Sequence, residues 1–273
     1  MNTLVSLFPV LDQKLMALLR SLYTTEWYKP TLAPLWSVKD IASHLLDGNL
    51  RMISLSRDAH INKPDREINS YDSLVGYLNQ LNADWVKATR RLSPQVLIEW
   101  LDITGKQYIQ QLASLDPDAN AVFPVSWAGE KTSTNRFHIA REYTEKWHHQ
   151  QQIREATGRQ GILTKELYYP FIETILRGLP YTYRNTKAAE GTIIQITIDS
   201  EIGGNWYLKF ENNKWQLLDK NDLPIEASLI IPPGIAWKLF TKGISPSLAK
   251  DSCRLSGNTE LAKVALGLIA VMA

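Results

Sequence analysis

Residues 184–198, RNTKAAEGTIIQITI, decide the architecture, because the period of the hydrophobic pattern changes across them. On their C-terminal side GTIIQITI alternates with a period of two, and WYLKF (206–210) and KWQLL (214–218) repeat the alternation on either side of the turn-forming Glu211-Asn212-Asn213. That pattern predicts an antiparallel meander. ASLIIPP (227–233) adds a strand, PPGIAWKLFTKG (232–243) a helix, SCRLSG (252–257) a short strand, and NTELAKVALGLIAVMA (258–273) a closing helix capped by Asn258 or Thr259. On the N-terminal side the apolar residues recur at helical spacing, which predicts helices over residues 4–23, 38–58, 71–92, 94–114, 134–157 and 165–179. Ser37 and Ser93 stand where N-caps belong, Pro94 suits a first turn, and Gly158 is a C-terminal stop. The chain therefore divides into a helical domain, 1–185, and an α+β domain with an antiparallel sheet, 190–273, joined by a polar link.

Composition narrows the class of function. The chain has 273 residues, 44% of them apolar and 21% charged, which fits a globular protein and excludes a disordered one. Thirty basic against 28 acidic side chains give a net charge of +2, too balanced and too dispersed for nucleic-acid binding. The N-terminal stretch lacks a basic n-region and is interrupted by Asp12, Lys14 and Arg20, so no signal peptide is expected. No apolar run reaches the length of a membrane span. The single cysteine, Cys253, rules out an internal disulfide and fits a reducing compartment, so a cytoplasmic protein is expected.

The chemistry concentrates in the fifth helix, REYTEKWHHQQQIREATG (141–158). Glu145 and His149 lie four apart and share a face, with Cβ atoms about 5–6 Å from each other. A carboxylate and a neutral imidazole suit zinc, nickel, iron or manganese, but two ligands leave an ion under-coordinated. Of the five histidines, His44 lies within an apolar helical run, on the stripe of Ile41 and Leu45, where an imidazole needs a partner. His60 lies in a polar stretch, His148 points about 100° away from His149, and His138 is two turns before Glu145. Spacing alone leaves open whether these side chains share an ion or are each satisfied by ordinary hydrogen bonds.

Two segments carry a family resemblance. W-S-V-K-D-I-A-S-H-L-L-D-G, residues 36–48, and R-x3-E-x3-H-x2-Q-I, residues 141–153, resemble the paired signatures of the mycothiol-dependent maleylpyruvate isomerase family, one of the DinB-like metal-binding four-helix bundles. The resemblance extends to the domain order, since residues 191–273 are similar to a sterol-carrier-protein-like domain. It implies an up-down four-helix bundle and a divalent metal, most often Zn2+, held by His44, Glu145 and His149. It also implies a low-molecular-weight thiol as cosubstrate, which loses its proton on the metal and attacks a small electrophile, in isomerisation or in transfer. The family often has aspartate where this chain has Gln152, and an amide there can still hydrogen-bond a ligand but adds no charge.

Around that centre Asp47 and Gln152 are expected behind the ligands, with Trp36 and Trp127 as walls of a substrate pocket. Arg141 is either a paired helix residue or a group that meets an anionic substrate. Cys253, expected in a strand of the other domain, is read as a small buried residue, and Arg254 and Lys238 as cations of that domain. Three ligands with an open position describe a catalytic zinc site. A non-catalytic metal or ligand carrier and a metal-dependent hydrolase would use the same three residues. The expected partners are a thiol and a small electrophile, in a monomer or homodimer.

Overall fold

A computed structural model describes residues 4–271. They form two compact units, one of residues up to 123 together with 133–162, the other of 124–132 and 163–271.

In the first unit, α1 (Leu7–Arg20), α2 (Val38–Met52), α4 (Pro94–Ser114) and α5 (Asn135–Thr157) make the bundle, and α3 (Tyr71–Thr89) packs on α2. The polar ends set the register of these helices. Ser37 accepts a hydrogen bond from the Asp40 N–H while the Asp40 carboxylate accepts from Ser37, and Ser93 accepts from Val96 N–H ahead of Pro94. Gly158, at φ +68°, ends α5 in the left-handed conformation expected of a C-cap. The core is an aliphatic cluster in which Leu15 and Leu19 of α1 meet Ile41 and Leu45 of α2, Leu97 and Leu101 of α4 and Ile153 of α5.

α5 departs from an ordinary amphipathic helix. Its HHQQQIR run looks solvent-facing, yet His148, His149, Gln150, Gln151, Gln152 and Arg154 are all buried. Buried polar groups demand partners, so this helix carries more hydrogen-bonding obligation than packing. Several elements are shorter than the periodicity predicts. α1 begins at Leu7, and residues 24–28 form a separate 3-10 turn. α2 stops at Met52 and continues as a π-turn, Ile53–Arg57.

In the second unit, α6 (Lys165–Leu176) and α7 (Leu179–Thr182) precede a five-stranded sheet. The sequence predicts a single helix over 165–179 and assigns residues up to 185 to the first domain. The contacts of both helices lie here instead, α7 packing on β3 and Tyr183 O–H donating to Leu261 O. The strands are β1 (Ile193–Ile198), β2 (Gly204–Glu211), β3 (Lys214–Leu218), β4 (Ala227–Ile231) and β5 (Arg254–Gly257), in the order β3-β2-β1-β4-β5. The sheet is mixed, not purely antiparallel: β1 and β4 run parallel, with Ile196 opposite Leu229. Two successive hairpins leave β3 running in the direction of β1, and the chain crosses back to the free edge of β1 before starting β4. The expected turn between β2 and β3 is present, and both its asparagines take positive φ, 51° and 63°.

α8 (Pro233–Phe240) and α9 (Pro246–Lys250) follow β4. The closing helix is much shorter than predicted. α10 (Thr259–Lys263), capped by Asn258, gives way to a 3-10 turn, Val264–Gly267, and then to irregular chain; residues 272–273 lie outside the described residues. Ala270 N–H donates to Phe240 O, so burial against α8 takes precedence over helix continuation. Cys253 lies just before β5, is only half-buried, and its Sγ is 3.2 Å from Ala249 O. Among the described residues no helix is long and apolar enough to cross a membrane.

Candidate metal centre

The site is built where α2 and α5 face each other. The Ser37 cap starts α2 so that Ile41 and Leu45 point into the core, and His44 falls beside them toward α5. One potential ligand atom each from His44, Glu145 and His149 lies within 4.8 Å of the others. His149 Nε2 is 3.4 Å from Glu145 Oε2, and the rings of His44 and His149 meet edge-on with centroids 4.7 Å apart. His44 Nδ1 is buried with no hydrogen-bond partner. Two imidazoles and a carboxylate, one ring with a nitrogen unpartnered, make a donor set that fits a divalent ion.

The site is partly shielded, with His149 buried and His44 and Glu145 half-buried. Burial holds His44 well below the ordinary histidine range, helped by the neighbouring His149, so its imidazole is neutral. Burial pushes the Glu145 carboxyl upward, but its contact with His149 outweighs this and holds the group below the usual carboxylate range. His148 does not join the cluster. Its Nδ1–H donates to Thr144 O at 3.2 Å, its ring stacks on that of His149 at 3.8 Å, and burial drives its pKa down to about 3.

The other expected site residues are placed as follows. Gln152 Oε1 is 2.9 Å from His149 Nδ1 and can only accept, so Nδ1 carries a proton and Nε2 is the nitrogen that faces Glu145. Trp36 stacks obliquely on His44 at 4.8 Å and lies 6.2 Å from His149, a wall of the site. Asp47 is buried but gives its carboxylate to Arg51, with Arg51 Nε at 2.9 Å, instead of backing His44. Arg141 is a paired residue: its Nη2 donates to His138 Nδ1 at 2.6 Å and to Glu142 Oε1 at 3.2 Å. Trp127 belongs to the second unit, where its indole packs over Gly178. In that unit Arg254 pairs with Asp199 at 2.8 Å and the Lys238 ammonium lies 5.6 Å from the Trp237 ring. His60 is exposed.

Lys146, which the sequence does not single out, ties α2 and α5 together. Its Nζ donates to Asn49 Oδ1 and to Leu45 O on α2, and lies 4.4 Å from the centre of the Tyr108 ring. A lysine in the middle of a polar helical run carries no mark of burial, so only the packing reveals it.

The fold and site together define a helical bundle that converges two histidines and a glutamate from two helices, followed by an α+β unit. The family model of the mycothiol maleylpyruvate isomerase N-terminal domain matches residues 8–154, more than half of the chain and including both signature segments, and the chain belongs to that family. The crystal structure of a mycothiol-dependent maleylpyruvate isomerase aligns over 93% of this chain and 91% of its own, with a TM-score of 0.55 and 10% identity. A mutant of that protein gives the same values. At this identity the likeness is one of fold, and it spans both units. A ubiquinone synthesis protein, UbiJ-SCP2, is 11% identical and covers 36% of this chain and 95% of its own, but its TM-score of 0.26 is too low to bear on the second unit. No curated protein matches the sequence.

Proposed function

We propose that the chain is a metal-dependent enzyme that uses a low-molecular-weight thiol, of the maleylpyruvate isomerase or thiol-transferase type, with His44, Glu145 and His149 holding a divalent ion, zinc first. The observation that carries this is the convergence of the three donors within 4.8 Å around a His44 ring whose Nδ1 has no partner. A divalent ion bound there supplies a positive charge that favours the thiolate over the thiol, with a position left for it beside three protein ligands.

The chain's own residues prepare that centre. Gln152 fixes the His149 tautomer by accepting from Nδ1–H, which leaves Nε2 for the ion. Trp36 covers the faces of His44 and His149 and keeps water from that side. Lys146 holds α5 against α2, so the ligands from the two helices keep their separation. The thiol is mycothiol by analogy with the similar solved structure, with bacillithiol and glutathione as the alternatives to test. Such thiol chemistry suits the reducing cytoplasm.

The test is metal content by mass spectrometry on protein purified without added metal. About one ion per chain is expected in the wild type and in His60→Ala, and little in His44→Ala, Glu145→Ala and His149→Ala. Equal metal content in all of them would sink the assignment. A screen of thiols with small electrophiles, with and without metal, then separates thiol-dependent turnover from turnover by water.

A further inference from the structure

We propose that Arg51 is the anchor for a carboxylate on the electrophilic substrate and that Asp47 aims it. The inference rests on the thiol-dependent reading above and adds to it a residue that selects among electrophiles by their charge.

His44, Gly48 and Arg51 stand at i, i+4 and i+7 and share one face of α2. Helical side chains lean toward the N-terminus of their helix, and here the lean is fixed. Arg51 Nε lies 2.9 Å from Oδ2 of Asp47, one turn back toward His44. The guanidinium is thereby drawn to within about one helical turn, roughly 5 Å along the axis, of His44. Between them stands Gly48, and a Cβ built there would meet nothing within 4 Å, so this face of α2 is open over the gap. Trp36 covers the His44 ring, which leaves the Gly48 stretch as an open approach along α2.

The two ends of the ion pair differ in exposure. The Asp47 side chain is only 12% exposed, whereas the Arg51 side chain is 51% exposed. A buried carboxylate that holds Nε orients the guanidinium while its other nitrogens remain open to solvent, and the planar fork matches a carboxylate in two parallel hydrogen bonds. Arg141, the cation on the α5 side, is less suited. It is 17% exposed and its Nη2 is committed to His138 and Glu142.

The experiment uses metal-containing protein and two probes, maleate and its dimethyl ester, which carry the same electrophilic double bond with and without charge. Binding of each is measured by titration calorimetry, and thiol addition to each is followed by its rate. Wild type is expected to bind maleate, and Arg51→Met to weaken that binding at least about ten-fold, the loss of one charge-assisted contact, with the ester unchanged. Arg51→Lys should recover part of the affinity. The double variant Asp47→Asn/Arg51→Met, which leaves no orphaned buried charge, should bind maleate as weakly as Arg51→Met while folding normally. Metal content should be the same in all four proteins. The anchor is overturned if wild type does not bind maleate, if Arg51→Met binds it as tightly as wild type, or if acid and ester weaken equally. A protein that lacks metal, or that adds no thiol to either probe, refutes the catalytic reading instead.

Discussion

Replacing Gln152 by leucine isolates the hydrogen bond that sets the tautomer of His149. The Gln152 Oε1 to His149 Nδ1 distance is 2.9 Å, and the two residues are only 4% and 7% exposed, so water does not stand in for the lost acceptor. Without metal the variant has an escape. The ring proton can move to Nε2, which already lies 3.4 Å from Glu145 Oε2. With metal that escape is closed, because the ion needs the Nε2 lone pair and Nδ1–H must stay buried without an acceptor. The penalty therefore falls on the bound state alone, about 1–3 kcal/mol for an orphaned buried donor, which is about 5–150-fold in affinity. Outer-shell partners of metal-ligating histidines commonly matter to about this extent, 10–100-fold. Competition with a chromogenic chelator measures the zinc affinity directly. Gln152→Leu should bind zinc at least about ten-fold more weakly than wild type, and Gln152→Glu, an anionic acceptor at the same point, should bind as well or better. A Gln152→Leu protein that folds and binds zinc within two-fold of wild type would refute the tautomer argument.

Two further predictions concern stability. Leu101 of α4 is 1% exposed inside the aliphatic cluster, so Leu101→Ala should cost about 2–5 kcal/mol, seen as a lower urea midpoint with an unchanged slope; a loss under about 1 kcal/mol would mean that the bundle collapses into the gap. The Glu26 carboxylate is held down at about 2 by the Arg159 guanidinium, at 2.6 and 2.8 Å, and by the Tyr23 N–H. A depressed carboxyl stabilises the fold above its unfolded value, here 4.5, and that contribution disappears as the pH falls to about 2. Glu26→Gln should therefore flatten the stability profile between about pH 4.5 and 2, and a variant profile parallel to wild type would exclude the linkage.

How much of this was legible beforehand differs from element to element. The change of period at residues 184–198, the caps at Ser37 and Ser93 and the stop at Gly158 are local signals, and the helix and strand limits they predict agree closely with the structure. The parallel pairing of β1 with β4 is not local. It depends on which edge of β1 the returning chain reaches, and the alternation in ASLII is the same for either direction. The closing helix fails for a similar reason, since its apolar run satisfies both helical periodicity and the burial that ends the helix early.

In the site, the i,i+4 spacing of Glu145 and His149 fixed their common face, and the apolar surroundings of His44 marked it as a residue in need of a partner. Their convergence needed α2 and α5 to pack side by side, which no spacing encodes. Asp47 shows the limit most clearly. One turn from His44, it is placed equally well to back that ring or to pair with Arg51, and the folded helix pairs it with Arg51. The sequence by itself determined what is periodic or immediate in the chain: helix faces, caps, the switch to strands and the chemical types of the donors. Only the tertiary structure decided which faces meet, because the free energy that selects a pairing comes from burial and desolvation between residues far apart in sequence, and those terms exist only once the helices are packed.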